Sequence, residues 1–370
     1  MPWRERLLLW TGPGVLAGIT AGDWLALLRE NAFAVDLPYL WRAAVITVGS
    51  FGNSLGRRYE EVAYGRVVAG TEIDPPIFVL GIWRSGTTHL QNLLAVDSRF
   101  ATPNWYQVTY PHTFLSTEAV NSRLGDLFVP KRRLQDNMRH GFGLPGEDEM
   151  ALCVSTPLSP WLSWVFPRRS DYYDRYLTLR GIPDTEVAEW KAALLSFVRK
   201  IACKYRKPLI LKSPDHTARI RLLLDVFPEA RFVHIRRNPY AVFQSSRHTT
   251  QKLVQYFTLQ RPTLDVEERT IRQYREVYDA FFEEVDLIRQ DRFHEVGFED
   301  LERDPIGEMR RVYKALRLPD FGVVEPPMRS YVASLSGYEK NTYLPLAPQM
   351  RERIASEWRR CFEAWGYPTG

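Results

Sequence analysis

The amino-acid sequence predicts an α/β fold with a central parallel sheet, an inserted cap region and an N-terminal helical extension. In the middle of the chain, short apolar runs alternate with stretches of helical periodicity, and this alternation is typical of parallel βαβ units. The 370 residues are 45% hydrophobic and 25% charged, which is enough apolar surface for a packed core. Disorder, a collagen helix and a coiled coil are therefore excluded as the main architecture.

Four short apolar segments are predicted as strands. The first covers 77–80, follows two prolines and ends at Gly81. The next two cover 209–212 and 231–235, and 293–298 is the candidate for the fourth. Because helical patterns separate them, the strands are expected to lie parallel in one sheet.

Helices are predicted where apolar residues recur every three or four positions. Asn238 before Pro239 is typical of a helix N-cap followed by proline at the first helical position. The predicted helices cover 89–97, 220–227, a segment from 239 onward, 263–290, 302–316 and 348–365.

The sequence divides into an N-terminal extension over 1–72 and a main domain over 73–370, with a cap insertion at about 100–180. Within that insertion, 100–162 is rich in Pro, Trp, His and acidic residues and shows poor periodicity. The extension carries four tryptophans among Leu and Arg. Contact with a membrane interface and packing on the main domain both remain open for it.

Neither a signal peptide nor a membrane-spanning helix is predicted. The first apolar stretch is broken early by Gly12 and Pro13, and the apolar segment 38–55 is interrupted by Arg42 and Asn53. The three cysteines are far apart and lack metal-type spacing, which favours a reducing compartment. We therefore expect a cytoplasmic location, with peripheral contact at the inner membrane face left open.

The net charge of +5 does not point to a nucleic-acid partner, because the basic residues are interleaved with acidic ones. Most of the basic residues are arginines. Guanidinium groups bind anions in a fixed bidentate geometry. An anionic ligand is thus compatible with the composition, although genome composition also raises the arginine content.

The segment 81–88 predicts a phosphate-type loop, since it lies directly after a strand and before a helix. Gly81 and Gly86 keep the spacing of the nucleotide-triphosphatase loop, but Thr87 stands where that loop has its lysine. The cation here is Arg84. An ATP site is therefore disfavoured.

The second and third predicted strands end in cations rather than in carboxylates. Lys212 ends one, and Arg236 and Arg237 follow the other. No carboxylate at these ends is suited to hold Mg²⁺. A metal-free loop surrounded by cations suits a sulfuryl group, which carries one charge fewer than a phosphoryl group.

Two separated motifs resemble those of the sulfotransferases that use 3′-phosphoadenosine 5′-phosphosulfate (PAPS). They are RSGTT at 84–88 and RNPYAVFQS at 237–245. The segments LKSPDH at 211–216 and FEDLERDP at 298–305 resemble the broad, mostly bacterial branch of that family, so that the resemblance covers about 75–320. It implies a P-loop-type three-layer fold and metal-free transfer of a sulfuryl group from PAPS to a hydroxyl of a carbohydrate, lipid or small-molecule acceptor.

The resemblance also implies residue roles. Arg84 takes the position that contacts the transferring sulfonate, and Lys212 helps to neutralise it. Arg237 and Ser245 take the positions of the 3′-phosphate site. Lys340 either reaches a phosphate of the nucleotide or is an exposed loop lysine. The 5′-phosphate would be bound by Ser85, Gly86, Thr87 and Thr88.

The general base that must accept the hydroxyl proton is not decided by the sequence. Glu147, in the acidic cluster 146–149, and His216, in LKSPDH, are the two main candidates, and His112 is a third. In cytosolic relatives the base histidine follows the lysine by two residues, where this chain has Pro214. His216 as a helix cap and Glu147 in a solvated helix start are the structural alternatives.

Two other functional classes stay open at this stage. A P-loop kinase or nucleotidase would use ATP and Mg²⁺, and the missing loop lysine argues against it. A non-catalytic membrane-associated protein that retains the fold is the other. The two-part nucleotide motif favours the sulfotransferase over both.

Overall fold

The structure is a computed structural model that describes residues 12–125, 138, 141–337 and 341–369. The chain forms two compact units. The first comprises Met1–Ile73, Pro103–Arg206 and Thr250–Leu264 as far as they are described, and the second comprises Asp74–Thr102, Lys207–Thr249 and Asp265–Gly370.

The second unit contains a four-stranded sheet. Its strands are β1 (Ile77–Leu80), β2 (Ile210–Lys212), β3 (Arg231–Arg236) and β4 (Phe293–Gly297). Their order is β2-β1-β3-β4, and every neighbouring pair is parallel. Each strand begins within one residue of its predicted start. The predicted α/β class with a central parallel sheet is confirmed.

Most of the described chain is helical. The short 3₁₀ helices are Gly14–Leu16, Leu37–Tyr39, Pro167–Arg169, Pro214–Ala218, Val285–Leu287 and Gln290–Arg292. The α-helices are α1 (Ala21–Glu30), α2 (Leu40–Ala69), α3 (Thr87–Leu94), α4 (Trp105–Thr109), α5 (Phe114–Gly125), α6 (Asp148–Ser155), α7 (Leu162–Val165), α8 (Ser170–Asp174), α9 (Asp184–Tyr205), α10 (Ile220–Val226), α11 (Pro239–Phe257), α12 (Val266–Glu284), α13 (Phe298–Arg303), α14 (Pro305–Ala315), α15 (Phe321–Ser334), α16 (Pro348–Glu357) and α17 (Arg359–Trp365).

Both faces of the sheet are covered, which explains the uninterrupted apolar runs in its strands. Val79 joins a buried cluster with Leu90 of α3 and Met309 of α14. Phe78 points to the opposite face, where it stacks on Phe232 and meets the edge of the His216 ring. Alternate residues of one strand thus serve two cores, as a three-layer arrangement requires.

Caps set the helix boundaries that periodicity alone misplaces. The helix predicted over 263–290 is α12, because the Asp265 carboxylate accepts hydrogen bonds from the amides of Glu267 and Glu268. The helix predicted over 302–316 corresponds to α14, except that its first two residues belong to the separate helix α13. Asp304 separates them by capping α14 at the Gly307 amide, with Pro305 at the first helical position.

The last predicted helix is also two helices, α16 and α17. The break falls at Trp358, whose indole nitrogen donates to the carbonyl of Ile271 at 3.0 Å. Its ring stacks on Tyr274 with the centroids 3.6 Å apart. The helical pattern continues through this point in the sequence, so only the tertiary contact reveals the break.

The regular elements that the structure describes in the first unit are helices. The segment 100–162, expected to be irregular, contains α4, the described α5 and α6, and the loops between these short helices explain the poor periodicity. None of the helices that the structure describes is long and apolar enough to span a membrane.

Buried polar contacts hold α2 inside the first unit. The Arg42 side chain is 1% exposed, and it donates to the carbonyls of Gly12 at 3.2 Å and Thr258 at 2.5 Å. Burial lowers the pKa of Arg42 to about 10. Farther along α2, the Glu60 carboxylate accepts a hydrogen bond from Lys200 Nζ at 2.7 Å. These contacts decide which side of α2 faces inward.

The stability of the protein is expected to fall with acidification, in part through His112. Burial, together with the positive charges of Arg57 and Lys200, lowers the pKa of His112 to about 4. The unfolded chain takes up this proton near pH ~6.5, so protonation favours unfolding between pH ~6.5 and ~4. The expected loss from this residue is about 2 kcal/mol at pH ~5.

Thermal unfolding at several pH values tests this expectation. The variant His112→Gln should show a shallower decrease of Tm between pH ~7 and ~5 than the unmodified chain. Parallel curves for the two proteins would mean that other groups carry the acid sensitivity.

Candidate active site

A tightly turned loop connects β1 to α3. Gly81 and Gly86 have φ angles of 138° and 108°, a region that side chains rarely adopt. A Cβ on Gly81 would lie 2.7 Å from the carbonyl oxygen of Ile235, and one on Gly86 would overlap the ring of Phe298. Glycine is therefore required at both ends of the predicted phosphate-type loop.

Internal hydrogen bonds hold the loop in shape. The backbone amide and the hydroxyl of Ser85 both donate to the carbonyl of Ile82, at 3.1 Å and 2.7 Å. The amide of Gly81 donates to the Thr217 hydroxyl at 2.8 Å. Arg84 has φ of 71°, which costs a non-glycine residue roughly 1 kcal/mol. The surrounding contacts thus hold Arg84 in a strained conformation, which is common at functional sites.

The sheet order places this loop at a topological switch point. From β1 the chain continues to β2 on one side, whereas from β3 it continues to β4 on the other. Ligands of open α/β sheets bind in the crevice outside the carboxyl ends of the two strands where the direction reverses. Those strands are β1, followed by the loop, and β3, followed by Arg237.

Three predicted residues meet at this position. The Arg84 Nε atom donates to the Ser245 hydroxyl at 2.9 Å, and Arg237 Nη1 donates to the Arg84 carbonyl at 2.9 Å. The guanidinium of Arg237 also lies over the ring of Phe298, 4.1 Å from its centroid. The two motifs, separated by about 150 residues in the chain, therefore form one cluster.

The electrostatics of this cluster favour an anion. Burial and the positive charge of Arg84 lower the pKa of Arg237, while Glu299 and Glu302 act in the opposite direction. A bound anionic group would relieve the repulsion between the two guanidinium groups. The geometry therefore fits a phosphate or sulfate group near Arg84 and Arg237.

Lys212 is the last residue of β2, and His216 lies four residues after it. The Lys212 side chain is 1% exposed, and its Nζ atom lies 3.5 Å from the Thr88 hydroxyl at the start of α3. His216 is fully buried in the 3₁₀ helix Pro214–Ala218, with its ring against Phe78. Lys212 thus reaches the loop, whereas His216 is packed against the sheet.

Glu147 belongs to the first unit, where it precedes α6 in the N-cap position. Its side chain does not cap the helix. Asp148 and Glu149 are fully buried, and Glu149 accepts a hydrogen bond from the Ser159 hydroxyl at 2.8 Å. Since Glu147 is only 8% exposed, the alternative of a solvated helix start does not hold.

Tyr343 is a residue of the site that the sequence did not single out. Its hydroxyl donates to the Ser245 hydroxyl at 3.2 Å, and its ring lies edge-on to His248. Asn341 in turn donates to the Tyr343 hydroxyl at 3.3 Å. Tyr343 lies in a loop without periodicity, so no sequence pattern could have revealed the contact. Lys340 lies outside the described residues.

Comparison with known proteins identifies the family to which this site belongs. The family model described as "Sulfotransferase family" matches residues 75–322. The chain belongs to the sulfotransferase family. The sulfotransferase is 38% identical over 367 residues to a protein of Mycobacterium bovis named omega-hydroxy-beta-dihydromenaquinone-9 sulfotransferase Stf3, with 99% of this chain and 93% of that protein covered. The protein of the same name from Mycobacterium tuberculosis matches equally.

Two solved structures share the fold of the sulfotransferase. Sulfotransferase STF9 from Mycobacterium avium superposes with a TM-score of 0.66 at 21% identity, covering 94% of this chain and 96% of that one. Sulfotransferase STF1 from Mycobacterium tuberculosis has a TM-score of 0.64 at 17% identity, covering 91% and 92%. These structures confirm the P-loop-type fold inferred from the sequence. The family model and the 38% identical relatives confirm the sulfotransferase activity.

Replacing Gly86 by alanine is expected to destabilise the sulfotransferase by more than about 2 kcal/mol. Alanine disfavours the positive φ at this position, and its Cβ would overlap the Phe298 ring. Gly65→Ala in α2 is the matched control, since no atom lies within 4 Å of its Cβ position. That change should stabilise the helix by about 0.5 kcal/mol. Denaturant unfolding of both variants measures the difference, and an unaltered midpoint for Gly86→Ala would contradict the geometry.

Proposed function

We propose that this sulfotransferase takes its sulfuryl group from PAPS and transfers it to a terminal hydroxyl of a membrane lipid, without a metal ion. The main support for PAPS as the donor is the cluster of Arg84, Arg237 and Ser245 at the carboxyl ends of β1 and β3. PAPS is also the sulfuryl donor that membership of the family implies. PAPS supplies the activated sulfuryl group, and the chain supplies binding, orientation and proton transfer.

The loop binds the 5′-end of the donor in this proposal. The amides of Ser85 to Thr88 and the hydroxyls of Thr87 and Thr88 would donate to its phosphate oxygens at the start of α3. Arg237 and Ser245 would bind the 3′-phosphate, and the Tyr343 hydroxyl is near enough to Ser245 to join them. Lys340 remains a proposed phosphate contact. Hydrogen bonds to charged groups contribute about 1.5–3 kcal/mol each, so this set supports firm binding.

Arg84 and Lys212 stabilise the charge that develops during transfer. The acceptor oxygen attacks sulfur as the bond from sulfur to the bridging phosphate oxygen breaks, and that oxygen leaves with the negative charge. Arg84 would donate to the sulfonate and the bridging oxygen in a fixed fork geometry. Lys212 reaches Thr88 at the loop and adds a second positive charge. Preorganised donors of this kind provide a large share of catalysis.

We assign the general base to Glu147 rather than to His216. His216 is fully buried, and its ring meets Phe78 edge-on in the covered face of the sheet. Glu147 is 8% exposed. A carboxylate can take the proton of an acceptor hydroxyl, and we propose this role for Glu147.

The acceptor class follows from the relatives. The proteins that are 38% identical along nearly the whole chain are named for an omega-hydroxylated dihydromenaquinone, which is a long isoprenoid lipid. By similarity, we propose an apolar lipid with a terminal hydroxyl as the acceptor of this enzyme. Such an acceptor places the enzyme peripherally at a membrane, and we propose that its N-terminal region makes this contact.

Calorimetric titration with 3′-phosphoadenosine 5′-phosphate, the product nucleotide, tests the donor site. The unmodified chain should bind it, and Arg237→Ala should weaken binding about 30-fold or more through the lost charge-assisted hydrogen bonds. Arg236→Ala is the matched control, because the neighbouring Arg236 pairs with Glu295 instead. Binding of ATP with Mg²⁺, and not of the product nucleotide, would contradict the proposal.

Turnover measurements with isosteric variants test the base. Glu147→Gln should lower kcat by about 10²–10⁴-fold while leaving the affinity for the product nucleotide unchanged, because only the proton acceptor is removed. Glu149→Gln and His216→Asn are the controls, and both should retain most of the turnover. Loss of turnover in His216→Asn with full activity in Glu147→Gln would transfer the role to His216.

A further inference from the structure

An apolar stripe runs along the exposed side of α2. Its members recur at helical spacing over 21 positions, which corresponds to about 30 Å of helix. These side chains are between 62% and 78% exposed. We call this set the α2 stripe, and it consists of Trp41, Val48, Phe51, Leu55 and Val62.

The α2 stripe lies on a surface without charge along most of its length. Between Leu40 and Gly56, Arg42 is the one charged residue, and its side chain is buried and donates to carbonyls inside the first unit. Ile46 and Ser50 are buried with it, so the inward side of α2 is accounted for. An exposed apolar surface that runs from Trp41 to Leu55 is uncommon on a monomeric protein in water and indicates an interaction site.

A second copy of the chain is a poor occupant for this surface. Paired helices in water select their partner through opposite charges at the positions that flank the apolar seam. If the α2 stripe is taken as that seam, the flanking positions carry one charged residue. They are Val45, Thr47, Gly52, Ser54, Tyr59 and Glu61.

The chemistry of α2 fits a lipid surface instead. Trp41 and Tyr59 are exposed, and such amphipathic rings favour the headgroup region of a bilayer. The other charges of α2 lie in its second half, where the exposed ones are three arginines and one glutamate. Glu60, the remaining acid, is buried against Lys200. The exposed charge is therefore positive, and it complements anionic lipid headgroups. The arginines are Arg57, Arg58 and Arg66.

We propose that the α2 stripe inserts into the headgroup–acyl boundary of an anionic membrane, with α2 parallel to the surface. The benefit of this membrane contact rests on the proposed function, because the contact would bring the enzyme to the surface where a lipid acceptor resides. Its physical basis is separate, because it depends only on the exposure, spacing and charge of α2.

Flotation of the full-length chain with vesicles tests the assignment. Vesicles of phosphatidylcholine mixed equally with phosphatidylglycerol should carry the protein, and vesicles of phosphatidylcholine alone should carry less. Phe51→Glu should lower the fraction of protein bound to vesicles at least about tenfold. The variant lacks an aromatic ring to bury in the membrane, and it adds a negative charge to the stripe. Arg58→Ala with Arg66→Ala should remove the preference for the anionic vesicles.

Val323→Glu is the matched control. Val323 is as exposed as Phe51 but lies on α15, so this variant should bind vesicles like the unmodified chain. The Tm and the affinity for the product nucleotide should both stay unchanged in Phe51→Glu, which shows that the variant is folded. Neither measurement uses an acceptor, so the vesicle result stays valid even if the proposed acceptor is wrong.

Several outcomes would overturn the proposal. One is the absence of flotation with either kind of vesicle. Another is a dimer in sedimentation that Phe51→Glu dissociates, since the stripe would then bind a second copy. A third is a Tm that is several degrees lower in Phe51→Glu, because a segment of the same chain would then cover the stripe. Equal loss of binding in Val323→Glu would show that any added charge has the same effect.

Discussion

The turn between β1 and α3 is the constraint on which the candidate site depends. Gly81 and Gly86 adopt φ values that side chains rarely adopt and leave no room for a Cβ, and Arg84 between them is held at positive φ. Arg237 supports this turn by donating to the Arg84 carbonyl. Because Arg84 both supplies a guanidinium group and accepts this hydrogen bond at its backbone, loop geometry and charge placement form a single arrangement.

The structure places several cations near a P-loop that lacks its usual lysine. Lys212 ends β2, Arg84 lies in the loop after β1, and Arg237 follows β3. Lys212 contacts Thr88 and Arg237 contacts the Arg84 carbonyl, so the fixed positive charge that the proposed sulfuryl transfer requires lies at the loop. Among the described residues, no cluster of three or more His, Cys, Asp or Glu side chains is placed to hold a metal ion.

The first unit shows a different use of burial. Arg42 and the Glu60–Lys200 pair are held inside by hydrogen bonds, and they orient α2 so that its apolar stripe faces outward. A buried polar group costs free energy unless it is paired, so these contacts specify one orientation of the helix more strongly than apolar packing alone would. The outward stripe is the consequence of that orientation.

The sequence by itself determined the sheet, the loop and the family. Strand starts at Ile77 and Arg231, the glycine spacing of the loop and the cations after the strands are all local patterns, and local patterns are readable without coordinates. Only the tertiary structure decided which side chains meet. The contact of Tyr343 with Ser245, the packing of His216 on Phe78 and the helix break at Trp358 depend on residues far apart in the chain. No periodicity encodes such contacts, because they arise when separate elements pack together.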